Sequence, residues 1–161
     1  PYNPVKNLTL KELREIFECK ITDWNVLGGK RQKIIPVIRN LNSGTHLYFK
    51  EHVLEGDEYC DVAIVEETTP DIINFIEENE NAIGYGSMGY KGKVAYAKIE
   101  GIEPSEKNAR NDTYPITRYL HFYTSRVPKG TVKKFIDWTL SPDGQKVIKQ
   151  SGFIPLWEIT Y

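Results

Sequence analysis

The chain lacks an excess of charge of either sign. Its 161 residues include 21 Lys and Arg against 22 Asp and Glu, so the formal net charge is -1. A protein that binds nucleic acid through the phosphate backbone usually carries a basic surface. Nucleic acid is therefore not expected as a partner.

Long apolar runs are also missing. No window reaches the roughly 18 uninterrupted apolar residues that a membrane-spanning helix needs. The hydrophobic share of 40% is nevertheless enough for a buried core, and the length fits one ordinary domain. The sequence begins with Pro1 rather than Met, which indicates a processed chain or a piece of a longer one.

Cysteine is scarce. The two cysteines, Cys19 and Cys60, lie too far apart for a CxxC motif. They could form one disulfide in an oxidising compartment or remain two buried thiols, and we favour the free thiols.

The sequence patterns of catalytic and metal sites are absent as well. The three histidines, His46, His52 and His121, lack the spacing to Cys, Asp or Glu that a zinc site requires. No Walker A loop, G-x-S-x-G elbow or G-x-G-x-x-G motif occurs. We therefore predict no catalytic residue, no metal and no cofactor, and an enzyme is not expected. His46 is expected at the surface.

Helices and strands are predicted to alternate along the chain. Thr9 and Glu12 form a capping box before an amphipathic helix. The apolar run at 33–38 predicts a buried strand, with Pro36 favouring an edge position or a bulge. A helix is expected from Thr45 to about Leu54, and strands and helices continue to alternate beyond it. This order indicates the α/β class with a mainly parallel sheet.

Capping residues and apolar periodicity also predict the helices and strands of the later part of the sequence. A helix is predicted with Thr69 as its N-cap, and a loop over 100–115. Strands are predicted over 93–99 and 117–124 from their alternating apolar residues. Two helices follow, the first over 129–140 and the second starting at Ser141.

The connection between the strand at 33–38 and the next helix has the composition of an anion site. Arg39 follows the strand, and Ser43, Gly44 and Thr45 stand where the helix begins. A helix N-terminus presents unpaired N–H groups and a positive partial charge to an oxyanion. Glycine permits close approach, the hydroxyls donate hydrogen bonds, and an arginine fork matches two oxygens of a tetrahedral anion.

These residue types also have an ordinary structural explanation. A serine before a helix is commonly only an N-cap, and an arginine after a strand is commonly solvated. The residues themselves therefore indicate an oxyanion site without identifying its ligand.

Five segments carry further motifs in a defined order and spacing. They are NPVKNLTLKELREIFECKITDWNVLGG, IIPVIRNLNSGTHLYF, AIGYGSMGY, YPITRYLHFYT and VKKFIDWTLSPDGQKVIKQSGFIPL. Together they resemble the phosphate-binding proteins of ABC transporters over almost the whole chain.

The resemblance implies a type II periplasmic-binding-protein-like fold of two α/β lobes. One lobe would be largely complete, with residues 1–112 forming the second, ligand-binding lobe. Residues 113–161 would supply the returning strand and C-terminal helices of the first lobe. By the same resemblance the phosphate ligands are Arg39, Ser43, Gly44 and Thr45, with Asn42 as a lesser candidate.

The sequence departs from the family pattern in three respects. Leu41 stands where the family often has Asp, which removes one polar partner. Cys19 replaces a usual glycine, which predicts an unusual turn. The ligands that the family takes from the N-terminal half of its first lobe have no counterpart in this sequence, which is expected to be a piece of a longer protein.

The function that the resemblance implies is binding of inorganic phosphate by the solute-binding component of an ABC importer. Its partner would be the membrane permease of the importer, and its location would be extracytoplasmic. The alternative is a phosphate-sensing or scavenging domain of a receptor or surface protein with the same fold. Because residues from about Tyr114 would normally pack on the other half of the first lobe, a homodimer or an exchange of elements between copies is also expected.

Overall fold

Short strands and helices alternate along the part of the chain that the computed structural model describes, residues 1–159. The strands are β1 (Asn7–Leu8), β2 (Ile35–Arg39), β3 (Ile64–Glu66), β4 (Ala82–Gly84) and β5 (Lys98–Ile99). The helices are α1 (Leu10–Phe17), α2 (Gly44–His52), α3 (Thr69–Glu78), α4 (Glu106–Arg110), α5 (Gly130–Thr139) and α6 (Pro142–Gln150). A 3₁₀ turn spans Trp24–Leu27. Residues 160 and 161, the last two of the segment 113–161 that is predicted to belong to the first lobe, lie outside this range.

The central sheet is parallel and has the order β3-β2-β4. This confirms the predicted α/β class and the parallel sheet. The edge position predicted for the strand that contains Pro36 is wrong, because β2 lies between two neighbours. Proline is accommodated because pairing with β3 begins only at Val37, so at Pro36 the strand is paired with β4 alone.

The core forms where α1 and α2 pack beside β2. The capping box at the start of α1 is confirmed, with the Thr9 hydroxyl accepting from the Glu12 N–H and the Glu12 carboxylate accepting from the Thr9 N–H. The buried face of α1 joins residues of the strand and of α2 in one cluster, which includes Leu13, Ile16, Phe17, Ile38, Phe49 and Val53. This packing fixes the end of β2 relative to the start of α2.

The start of α3 differs from the prediction by one residue. Thr68 rather than Thr69 is the N-cap, and it forms a capping box with Asp71. The reason is the three-residue spacing that a capping box requires, which only Thr68 has to Asp71. Thr69 thereby becomes the first helical residue.

Two predicted strands are largely absent. Only Lys98 and Ile99 of the segment 93–99 form a strand, through parallel pairing with β1. The segment 117–124 contains no strand, and Leu120 and Phe122 are exposed. An alternating sequence becomes a strand only when a neighbour completes its hydrogen bonds, and no described strand lies alongside 117–124. The predicted loop at 100–115 contains the short helix α4, capped by Ser105.

Cys19 and Cys60 form a disulfide, so the preference for free thiols was wrong. Cys19 follows α1 with a φ of 57°, in the left-handed region that favours glycine. This confirms the unusual turn predicted from the substitution of Cys for Gly. The bond ties the end of α1 to the segment that leads into β3.

The C-terminal helices α5 and α6 are confirmed, and Ser141 caps α6. Large apolar side chains of α5 are exposed, however, with Phe135 55% and Trp138 48% accessible. None of the helices in the described part of the chain has both the length and the apolar character to cross a membrane.

The tail after α6 returns to the segment that follows β4. The Ser87 hydroxyl donates to the Gly152 carbonyl at 3.3 Å. A Cβ on residue 89 would lie 1.5 Å from the Gly152 oxygen, so the two backbones touch directly. Only glycine at position 89 permits this approach.

Candidate functional site

The five predicted anion ligands lie in the connection from β2 to α2. Arg39 is the last residue of β2, and Ser43 is the N-cap of α2. The Ser43 hydroxyl oxygen accepts from the N–H groups of Thr45 at 3.2 Å and His46 at 3.4 Å. Because the oxygen is used as an acceptor, the hydroxyl hydrogen of Ser43 stays available as a donor.

The first turn of α2 offers unused donors. Within residues 1–159, neither the Gly44 N–H nor the Thr45 hydroxyl has a hydrogen-bond partner. Asn42 is exposed and its side chain likewise has no bond to any described residue. The helix start therefore keeps donors free in the place where its dipole is most positive.

The Arg39 side chain is oriented by two neutral acceptors. Its Nε donates to the Glu67 carbonyl at 3.0 Å, and its Nη1 donates to the Thr69 hydroxyl at 3.3 Å. No carboxylate forms an ion pair with Arg39 in the described range. The guanidinium is thus held in place by neutral acceptors, and no carboxylate among the described residues neutralises its charge. Its positive charge is therefore available to an anionic ligand.

A partly buried network of hydrogen bonds supports the backbone behind the site. The His46 Nδ1 lies 2.7 Å from the Arg39 carbonyl oxygen, and the Tyr59 hydroxyl donates to the His46 carbonyl at 3.0 Å. The Tyr85 hydroxyl accepts from the Arg39 N–H and donates to the Tyr59 hydroxyl. These bonds join the end of β2 to the first turn of α2.

The surface position expected for His46 is wrong, because only 3% of the residue is exposed. Burial raises the pKa values of the Tyr59 and Tyr85 hydroxyls, so both phenols stay protonated as donors. Sequence patterns did not indicate this network, because its members come from separate elements. The two tyrosines also stack in the aromatic cluster around Phe49.

A second arginine, Arg118, lies against the start of α2. The position of a Cβ on residue 44 would be 3.0 Å from its Nη1 and 3.1 Å from its Nη2. The chain is held here by the Tyr48 hydroxyl, which donates to the Thr117 carbonyl at 2.6 Å. Sequence analysis predicts a strand over 117–124, so Arg118 was not among its candidate ligands; the only signal was its place in the segment YPITRYLHFYT.

The arrangement suits reversible binding of an anion by hydrogen bonds and charge. Among the side chains of residues 1–159, no group of three His, Cys, Asp or Glu is placed to hold a metal ion. The polar groups at the site are donors with fixed backbone support, which is what recognition of an oxyanion requires.

Comparison with known proteins identifies the family to which the chain belongs. The sequence profile of the PBP superfamily domain matches residues 1–143. The chain is 37% identical to the phosphate-binding protein PstS of Bacillus subtilis, over 96% of this chain and 52% of that protein. It is 31% identical to PstS of Pseudomonas aeruginosa, over 96% of this chain and 55% of that protein.

Solved structures agree with the sequence relatives. A Clostridium perfringens protein, described as a phosphate ABC transporter substrate-binding protein with bound phosphate, superposes with a TM-score of 0.83 at 33% identity. The alignment covers 97% of this chain and 65% of that one. The type II periplasmic-binding-protein-like fold is thereby confirmed. The chain spans about half the length of the curated relatives it matches.

Proposed function

The chain belongs to the PBP superfamily, and from this premise we propose that it binds inorganic phosphate at the connection from β2 to α2. The observation that carries the proposal is the unpartnered Gly44 N–H at a helix start beside Arg39, which has no acidic partner among the described residues. The names of the similar proteins from B. subtilis and P. aeruginosa specify phosphate as their ligand.

Each candidate residue has a defined role in this proposal. The Gly44 N–H and the hydroxyls of Ser43 and Thr45 donate to phosphate oxygens. Arg39 adds a charge-assisted bond, and Asn42 contributes from the rim of the loop. Binding needs no covalent step and no metal, so the protein acts as a receptor rather than an enzyme.

The biological role we propose is that of the solute-binding component of an ABC-type phosphate importer. Its partner is then the membrane permease of that importer, and its location is extracytoplasmic. The solved relatives described as phosphate ABC transporter proteins support this role. The Cys19–Cys60 disulfide supports the location, because such bonds persist in oxidising compartments.

We further propose that residues 1–112 act as the ligand-binding lobe and that residues 113–161 belong to a second lobe. The exposed apolar side chains of the C-terminal part support this division, among them Phe122, Phe135, Trp138 and Trp157. In the isolated chain this face is expected to pack against a second copy, as a homodimer or by exchange of elements. Light scattering that gives a monomer at millimolar chain concentration would contradict this association.

Calorimetric titration with inorganic phosphate tests the binding proposal. Arg39→Ala should weaken phosphate binding by at least about tenfold, the range expected for a charged hydrogen bond. The matched control is Arg31→Ala, which removes the same charge from an exposed position in the loop that precedes β2. Absence of phosphate binding by the unsubstituted chain at millimolar phosphate, or equal losses in the two variants, would overturn the proposal.

A further inference from the structure

We propose that Arg118 is a second arginine ligand of the anion bound at the start of α2. This inference rests on the proposed function, since it concerns the same site. It adds a ligand from the segment after residue 112, which the sequence had assigned to structure rather than to binding.

The contact between Arg118 and Gly44 is the first observation. Both terminal nitrogens of the guanidinium lie in the space that a side chain on residue 44 would occupy, at 3.0 and 3.1 Å from the place of its Cβ. A larger residue at position 44 would fill this space. Because Gly44 has no side chain, the guanidinium lies close to the residue whose backbone N–H is unpaired in α2.

The position of Arg118 follows from how its chain segment is anchored. Tyr114 and Ile116 pack on the main core, and the Tyr114 hydroxyl donates to the Ala97 carbonyl at 3.2 Å. The next residue, Thr117, is bonded through its carbonyl to the Tyr48 hydroxyl of α2. Arg118 therefore emerges from a fixed backbone directly beside the helix start.

The electrostatics of this contact favour an anion as its ligand. The N-terminus of a helix carries positive partial charge, so a guanidinium beside it is repelled. Arg118 has no ion pair and no side-chain hydrogen bond with any residue from 1 to 159. Arg39, at the end of the preceding strand, likewise has no carboxylate partner there. An anion between these groups would convert the repulsion into attraction.

The ordinary alternative is a solvated surface arginine that rests by chance near α2. Arg126 provides the comparison, because it lies in the same irregular segment, is exposed, and its side chain has no hydrogen bond or ion pair in the described range. Both arginines are exposed. They differ in one respect, because the guanidinium of Arg118 lies within 3.0–3.4 Å of the place of a Cβ on Gly44, the first residue of α2.

The test compares Arg118→Gln and Arg118→Lys with the control Arg126→Gln. Titration with inorganic phosphate and with sulfate should show about a ten- to hundredfold loss for Arg118→Gln and no more than about a twofold change for the control. Arg118→Lys should retain part of the affinity, because it keeps the charge and loses the fork.

A second readout separates ligand binding from structural support. Without added anion, Arg118→Gln should melt at the same temperature as the unsubstituted chain or higher, because a repulsion is removed. Its melting temperature should then rise less on addition of phosphate. A merely structural arginine would instead lower the melting temperature of the anion-free protein.

The outcomes distinguish the two proposals. If the unsubstituted chain and Arg118→Gln bind phosphate equally while Arg39→Ala does not, the role of Arg118 is overturned and the proposed function stands. A lower melting temperature of anion-free Arg118→Gln also overturns the role. If the unsubstituted chain binds neither anion, the proposed function fails and the inference fails with it.

Discussion

The imidazole Nδ1 of His46 lies 2.7 Å from the carbonyl oxygen of Arg39, and so joins the first turn of α2 to the end of β2. Because His46 is buried, His46→Ala should leave this carbonyl unsatisfied and lower the free energy of unfolding by about 1–3 kcal/mol. Urea denaturation measures this loss. His121→Ala, at an exposed position, should stay within about 0.5 kcal/mol of the unsubstituted chain. Equal stability of the two variants would contradict the role of His46.

Ser43→Ala should weaken both stability and binding. The Ser43 hydroxyl oxygen caps α2 by accepting from two backbone N–H groups, and loss of such a cap costs about 1 kcal/mol. The substitution also removes a proposed donor to phosphate. The melting temperature and the phosphate affinity should therefore both be lower than in the unsubstituted chain. An unchanged melting temperature would show that the cap contributes little.

Gly44→Ala should weaken phosphate binding without lowering stability. Alanine has the higher helix propensity and the backbone of Gly44 requires no positive φ, so stability should be unchanged or higher. Its Cβ would force the Arg118 guanidinium to move and would crowd the Gly44 N–H. Phosphate affinity should fall, by titration, while the melting temperature does not. A lower melting temperature would mean that the Arg118 side chain cannot move away from the new Cβ.

Reduction of the Cys19–Cys60 disulfide should destabilise the protein. The bond joins residues 41 apart in sequence, and the loop-closure entropy lost from the unfolded chain corresponds to about 4 kcal/mol. Urea midpoints with and without a reductant measure the effect, with the double variant Cys19→Ser, Cys60→Ser as the control. That variant should be insensitive to reductant. Identical midpoints for the oxidised and reduced native chain would contradict the prediction.

Alkaline pH should destabilise the fold through its buried phenols. Burial raises the pKa of Tyr114 to about 12, against about 10 in an unfolded chain. The protonated form is thus favoured by folding, so its contribution is complete below pH 10 and is lost as the pH rises toward 12. Tyr114→Phe should flatten part of this decline in stability between pH 10 and 12. Unfolding free energies with the same slope in both proteins would contradict it.

Local signals explain what the sequence could predict. The capping box of Thr9 and Glu12, the cap at Ser141 and the Ser-Gly-Thr start of α2 depend on residues within three or four positions of one another. Their elements formed as expected. The same logic located the residues of the β2–α2 connection, because a strand end and a helix start are both visible in a short stretch.

Contacts between distant segments explain what it could not predict. The segment 117–124 has the alternation of a strand, yet it has no described neighbour to pair with and remains irregular. The pairing of Cys19 with Cys60 and the approach of Arg118 to Gly44 depend on how segments far apart in the sequence pack together. Neither leaves a periodic pattern in the sequence. Where two threonines compete as caps, only the position of Asp71 decides between them.

The direct backbone contact between Gly89 and Gly152 has a consequence for mutational tolerance. Gly89 is exposed, and a substitution or label site chosen by solvent accessibility would include it. Any side chain there must nevertheless push two backbones apart, since its first carbon would fall 1.5 Å from the Gly152 oxygen. In a saturation library, position 89 is therefore expected to be as intolerant as the core, despite its place at the surface.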